Sequence, residues 1–170
     1  MADTHKLLVA ANSETFLRML RFYFTKAGYE VQTVSDGDEA LLVLTAEPPD
    51  ALVTDETLPG IDGLQLVRRL RGSGITASLP VLMLVTGGGD SHVQAAIGAG
   101  ATAVMRRDAR IQDTGETVAN LIANSAAAAS PALSTLERAI EKRRVAHTVS
   151  PLRPPGGRGK RLLAPHPGGK

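Results

Sequence analysis

The chain has no cysteine and no tryptophan, and its only aromatic residues are three Phe and two Tyr among 170 residues. Without cysteine there can be no disulfide, no thiolate metal site and no thiol nucleophile. With so few rings the core must be aliphatic, and hydrophobic residues at 43 % are enough to build one. No apolar run approaches the roughly 18 residues that a membrane-spanning helix needs. The opening MADTHK carries no signal-peptide pattern. The expectation is a soluble, cytoplasmic protein with no membrane contact.

Charge is scarce in one sense only. The net value of +2 conceals an acidic part and a basic part. Residues 1–124 hold 10 Lys and Arg against 15 Asp and Glu, whereas residues 125–170 hold 9 basic and 2 acidic residues. Six of the ten prolines fall in that second stretch. A length of 170 residues suits one domain with an appendage. The expected organisation is a globular domain over 1–124, a linker and extra amphipathic helix over 125–146, and a basic Pro/Gly-rich disordered tail over 147–170.

Within the first part, short apolar runs alternate with amphipathic stretches. Leu7–Ala10 reads as a first strand. Ser13–Ala27 reads as a helix with Phe16, Leu20, Phe24 and Ala27 on one face, stopped by Gly28. Tyr29–Val34 is a second strand. Ser35 or Asp36 caps the next helix, which runs to Ala46 with Ala40, Leu41 and Leu44 inward. Ala51–Thr54 is a third strand, and Asp62 caps a helix around Leu66, Val67 and Leu70 that Gly72 closes. Pro80–Val85 is a wholly apolar fourth strand. A helix over Ser91–Gly98, a strand over Thr102–Met105 and a helix over Asp113–Asn124, using Val118, Leu121 and Ile122, complete the series. Strands three and four are nearly continuous apolar runs, as in a parallel sheet covered on both faces. A doubly wound α/β sandwich with right-handed crossovers follows.

In such folds charged chemistry gathers at the carboxyl ends of the strands. Here the turn after the first strand offers only Ala11, Asn12 and Ser13, with no carboxylate before Glu14. The Gly87-Gly88-Gly89 run lacks the Lys-Ser/Thr signature of a phosphate-binding loop and reads as a flexible link. His5 and His92 are isolated and read as surface residues rather than ligands.

The segments KLLV, AGYEV with SDGDEAL, PPDALVTDETLPGIDGLQLVRRLR, LPVLML and AIGAGATAV fall into step without gaps. Together they resemble the receiver domains of bacterial two-component response regulators, the chemotaxis-regulator-like family, over about residues 5–124. Asp50, Asp55, Pro59, Asp62 and Gly63 carry the most specific part of the match. The resemblance implies a flavodoxin-like fold, with five parallel strands in the order 2-1-3-4-5 and five surrounding helices. It implies a signalling protein rather than an enzyme, with a histidine kinase passing phosphate to an aspartate at the end of strand three, here Asp55. In that family two acidic residues after strand one join the aspartate and a backbone carbonyl, here that of Thr57, around Mg²⁺. A hydroxyl ending strand four and a lysine ending strand five hold the phosphoryl group, and an aromatic in strand five reports the switched state.

The sequence departs from this pattern at most of these positions. Ala11 and Asn12 stand where the acid pair is expected. Val85 stands at the hydroxyl position, with Thr86 one residue late. Arg107 stands at the lysine position, followed by Asp108 where proline is usual, and Val104 replaces the aromatic. Mg²⁺ demands near-octahedral oxygen donors and such sites depend on carboxylates. The expectation is therefore a degenerate receiver, or pseudo-receiver, with weak or absent Mg²⁺ binding and no cofactor. Arg107 either pairs with Asp55 or points into solvent, and Glu14 or Glu56 would have to supply a replacement carboxylate.

Three functions fit the sequence. The first is a protein-interaction module, independent of phosphorylation, working through the fourth helix, fifth strand and fifth helix (roughly Ser91–Asn124). The second is a conventional phosphoacceptor at Asp55 served by a histidine kinase. The third is a nucleic-acid-binding regulator acting through the basic tail. The tail has no aromatics for base stacking, which weighs against the third.

Overall fold

The computed structural model describes residues 3–129. Five strands and five helices alternate along them. They are β1 (Lys6–Ala10), α1 (Glu14–Lys26), β2 (Glu30–Val34), α2 (Gly37–Ala46), β3 (Ala51–Asp55), α3 (Gly63–Arg71), β4 (Val81–Val85), α4 (Asp90–Ala99), β5 (Ala103–Arg106) and α5 (Ile111–Ala129). Every neighbouring pair of strands is parallel, in the order β2-β1-β3-β4-β5. This is the doubly wound, flavodoxin-like arrangement expected above. Of the linker and extra helix expected over 125–146, residues 130–146 lie outside the described residues, as does the tail over 147–170.

Period-two alternation sorts the strand side chains onto two faces. Leu8, Ala10, Leu52, Val81, Met83 and Val85 face α2, α3 and α4, meeting Ala40, Leu44, Leu66, Val67, Leu70, Ala96 and Ala99. Leu7, Val9, Ala51, Val53, Leu82 and Leu84 face α1 and α5, meeting Leu17, Leu20, Phe24, Val118 and Ile122. Both cores are almost entirely aliphatic. Phe24 is the one aromatic that is fully buried, and Tyr23 and Tyr29 stand edge-on to its ring at 5.3 and 5.6 Å between centroids.

Local chemistry sets the helix starts. Ser13 Oγ accepts from the Phe16 N–H, Asp36 Oδ1 from the Asp38 and Glu39 N–H groups, and Asp62 Oδ1 from the Gln65 N–H. Each is a short polar side chain satisfying an orphan donor of the first turn. Of the two candidates before α2, Asp36 is the cap. Gly28, with φ of 95°, turns the chain out of α1, a conformation open to glycine at no steric cost.

Two expectations need correction. Ala27 is exposed, because it is the C-cap of α1 and lies past the last full turn. Leu17 takes the inward place instead, on the stripe Leu17, Leu20, Phe24. The last helix is longer than Asp113–Asn124: Ser125–Ala129 continues α5, as a run of strong helix formers would.

One polar side chain fastens the far end of the sheet. The Arg71 guanidinium, at the end of α3, donates to the carbonyls of Gly100, Thr76 and Ala77 and to Thr102 Oγ1, at 2.9 to 3.3 Å. Thr102 Oγ1 also accepts from the Val81 N–H, so α3, the α3–β4 loop and the α4–β5 turn meet at one fork. Gly100 adopts φ of 106°, and a Cβ there would lie 2.7 Å from Arg71 Cγ. Replacing Arg71 by Lys keeps the charge but not the planar set of donors. Arg71→Lys is expected to lower stability by about 1–2 kcal/mol, read as a shift of the urea midpoint at unchanged slope.

Candidate functional site

The strand order reverses between β1 and β3, so the carboxyl ends of these strands open the crevice in which doubly wound sheets place ligands. Asp55 ends β3 there and is 2 % exposed. Its backbone is held tightly: Gly63 N–H bonds to the Glu56 carbonyl at 2.9 Å, and a Cβ on Gly63 would come within 2.0 Å of the Asp55 carbonyl oxygen. The Pro59–Gly63 loop is likewise packed against α2. Gly37 N–H bonds to the Pro59 carbonyl, and a Cβ on Gly37 would meet the Ile61 carbonyl oxygen at 1.7 Å. The glycines let the loop close over the end of β3.

The Asp55 carboxylate has three named surroundings. Oδ2 accepts from the Asn12 N–H at 3.3 Å. The Arg107 guanidinium stands 3.5 Å from the same oxygen. Oδ1 is buried and has no hydrogen-bond partner. Burial pushes the Asp55 carboxyl above its ordinary value, and the opposing pull of Arg107 and the Asn12 N–H does not cancel it.

Arg107 is itself positioned from three sides. Its backbone N–H donates to the Val85 carbonyl at 2.9 Å. Nη1 donates to Asn12 Oδ1 at 3.2 Å, and the guanidinium lies 4.6 Å from the centre of the Phe16 ring, a cation–π distance. Of the two orientations left open by the sequence, the side chain takes the one toward Asp55.

The other positions named from the sequence are less engaged. Ala11 is closed into the core beside α1. Val85 packs with the opposite cluster, and Thr86, the next residue, is exposed beside Phe16 and Arg107. The β4–β5 register is regular to Val85 and Arg106, so no strand shift brings the Thr86 hydroxyl to the Val85 position. Val104 is half-buried against the α4 side of the core. Thr57 is exposed. Asp108 forms a two-pronged ion pair with Arg106 and Glu14 pairs with Arg18, both at the surface.

Glu56 and His92, read separately in the sequence, are brought together: His92 Nδ1 and Glu56 Oε1 are 2.7 Å apart. Nothing in their spacing signals this, because 36 residues, including α3 and β4, separate them. His5 lies 3.5 Å from Asp50 at the opposite end of the sheet. Among the described residues, no group of three or more His, Asp or Glu could hold a metal ion, and no helix is long and apolar enough to cross a membrane.

Comparison with known proteins agrees with this architecture. A response regulator receiver domain model matches residues 7–119. The phosphate regulon transcriptional regulatory protein PhoB of Rhizobium meliloti is 39 % identical over 87 residues, covering 51 % of this chain and 38 % of that protein. The response regulator MprA of Mycobacterium tuberculosis is 38 % identical over 96 residues, covering 56 % of this chain and 41 % of its own length. The chain thus spans about two fifths of these relatives. Among solved structures, a protein of Chloroflexus aurantiacus assigned as a response regulator superposes with a TM-score of 0.69 at 37 % identity, over 71 % of this chain and 99 % of that one. The chemotaxis response regulator CheY4 of Vibrio cholerae does so with a TM-score of 0.66 at 26 % identity, over 70 % and 99 %. With its sheet order, its loop over β3 and a family match through nearly all of the described residues, the chain belongs to the response regulator receiver domains, which are signalling proteins rather than enzymes.

Proposed function

We propose that this receiver domain is degenerate and signals by protein contact, without Mg²⁺-dependent phosphorylation of Asp55. The observation that carries the reading is the Arg107 guanidinium 3.5 Å from the Asp55 carboxylate, beside the Ala11-Asn12 turn where the family places its acid pair. A fixed cation there opposes a second one. The donors within reach do not fit Mg²⁺, a hard ion that needs near-octahedral oxygen ligands. Asp55 supplies one carboxylate, and the Asn12 amide oxygen already accepts from Arg107. Glu56 is taken by His92 and Glu14 by Arg18, so neither stands free as a replacement. Val85 brings no hydroxyl, and phosphoryl transfer depends on neutralising the equatorial oxygens.

The partner is a protein, engaged through α4, β5 and α5, where Ile97 is 54 % exposed on α4. A histidine kinase is one candidate, since receiver domains generally interact with such kinases. The basic tail, whose nucleic-acid role was the third reading, lies outside the described residues.

Amide chemical shifts during titration with Mg²⁺ and beryllofluoride test the reading. No saturable change is expected around residues 55–57. A saturable response there would overturn it in favour of the conventional phosphoacceptor, a reading that the unpartnered Asp55 Oδ1 favours. Phosphotransfer abolished by Asp55→Asn would add to that second reading.

The raised Asp55 pKa has a definite sign. A group whose folded pKa is raised favours folding most below its unfolded value, here 3.8, and that contribution is lost as pH rises through the folded pKa. The ionised carboxylate therefore weakens the fold at neutral pH. Asp55→Asn is expected to leave stability unchanged below pH 3.8 and to raise it at neutral pH, measured by urea unfolding at several pH values. A loss at neutral pH would mean that the Arg107 pair outweighs burial.

A further inference from the structure

We propose that Glu56, Gly87 and His92 form a latch that ties the start of α4 to the end of β3, holding the β4–α4 loop in one conformation. The start of α4 is otherwise poorly secured. Its N-cap is Gly89, with no side-chain cap bond, and three consecutive glycines precede the helix. The other three helices with a described cap are each closed by a Ser or Asp side chain. Three glycines carry a large conformational entropy, so a loop of this composition needs a tie from elsewhere to hold one shape.

His92 supplies the tie. Its Nδ1 lies 2.7 Å from Glu56 Oε1, and the Glu56 side chain is only 11 % exposed. A carboxylate can only accept, so Nδ1 carries the hydrogen in either charge state of the ring, and the bond does not need a protonated imidazole. Glu56 is a rigid anchor: its N–H bonds to the Leu84 carbonyl and its carbonyl accepts from Gly63, both at 2.9 Å. The charged neighbour from β5 is Arg106, whose Nη1 would lie 3.3 Å from a Cβ on Gly88.

Gly87 makes the contact possible. A Cβ at that position would fall 2.2 to 2.8 Å from three atoms of the His92 ring, so the ring rests on the bare backbone of the loop. Among the described glycines, positive φ is confined to Gly28, Gly60 and Gly100. Gly87 is therefore absent a backbone reason to be glycine, and the space for His92 is the reason the structure offers. Because α4 forms one side of the proposed partner face, the latch holds that face in register with the end of β3.

Amide hydrogen exchange on the full chain at fixed pH, without Mg²⁺ or phosphate, tests the latch. His92→Ala and Glu56→Ala should each speed exchange over residues 86–93 by roughly 5- to 10-fold, with the amides of β1 and β3 unchanged. Gly87→Ala should do the same in the parent chain and nothing further in the His92→Ala background, where the ring is gone. Unchanged exchange in His92→Ala overturns the proposal. So does an effect of Gly87→Ala that persists in full without His92, since the glycine would then serve the backbone. A global loss of structure is checked with His92→Gln, which keeps the bulk of the ring position and should release the loop to a smaller degree. None of these outcomes bears on whether Asp55 accepts phosphate, so the two readings fail separately.

Discussion

A carboxylate buried at the end of a parallel strand must be compensated, and in this domain the compensation comes from within the chain. Asp55 sits at the floor of the crevice between β1 and β3 with water excluded, where an unpaired charge is costly. Arg107 reaches it from the turn after β5, and Phe16 and Asn12, both from the β1–α1 region, hold Arg107 in place. The carboxyl ends of three strands thus converge on one ion pair. The surrounding features follow from that convergence: Ala11 can be small and apolar, Val85 can pack inward, and no further acid has to be accommodated beside Asp55.

The pair is only partly compensating, as the upward displacement of the Asp55 carboxyl indicates. A crevice with a single ion pair carries less like-charge repulsion than a cluster of acids would. On the proposed reading the crevice has less reason to change shape on binding a small ion, and regulation acts on another part of the fold. The β4–α4 loop is the obvious place, since it borders both the crevice and the proposed partner face.

Most of the fold was legible in the sequence, because it rests on local signals. Short apolar runs marked the strands, nearly continuous in β3 and β4, and cap residues marked two helix starts, Asp62 for α3 and Ser35 or Asp36 for α2. Helix ends were less legible: the choice between Leu17 and Ala27 on the inner face depends on where α1 stops, which spacing alone does not determine. The site divided in the same way. A motif could locate Asp55 at the end of a strand, but not the direction of the Arg107 side chain, because Phe16 and Asn12 hold it across more than 90 residues of chain. The meeting of Glu56 with His92 had no signal at all, and the glycine run beside it read as mere flexibility until the ring was seen to occupy the missing side chain's volume.

The near absence of aromatics has an optical consequence. With no tryptophan in the chain, emission excited above the phenylalanine band comes from Tyr23 and Tyr29. Both rings stand against Phe24 at the junction of α1 and β2, on the α1 side of the sheet that also carries Phe16. The protein therefore contains a built-in fluorophore pair confined to one corner, silent about α4 and sensitive to the helix that supports Arg107.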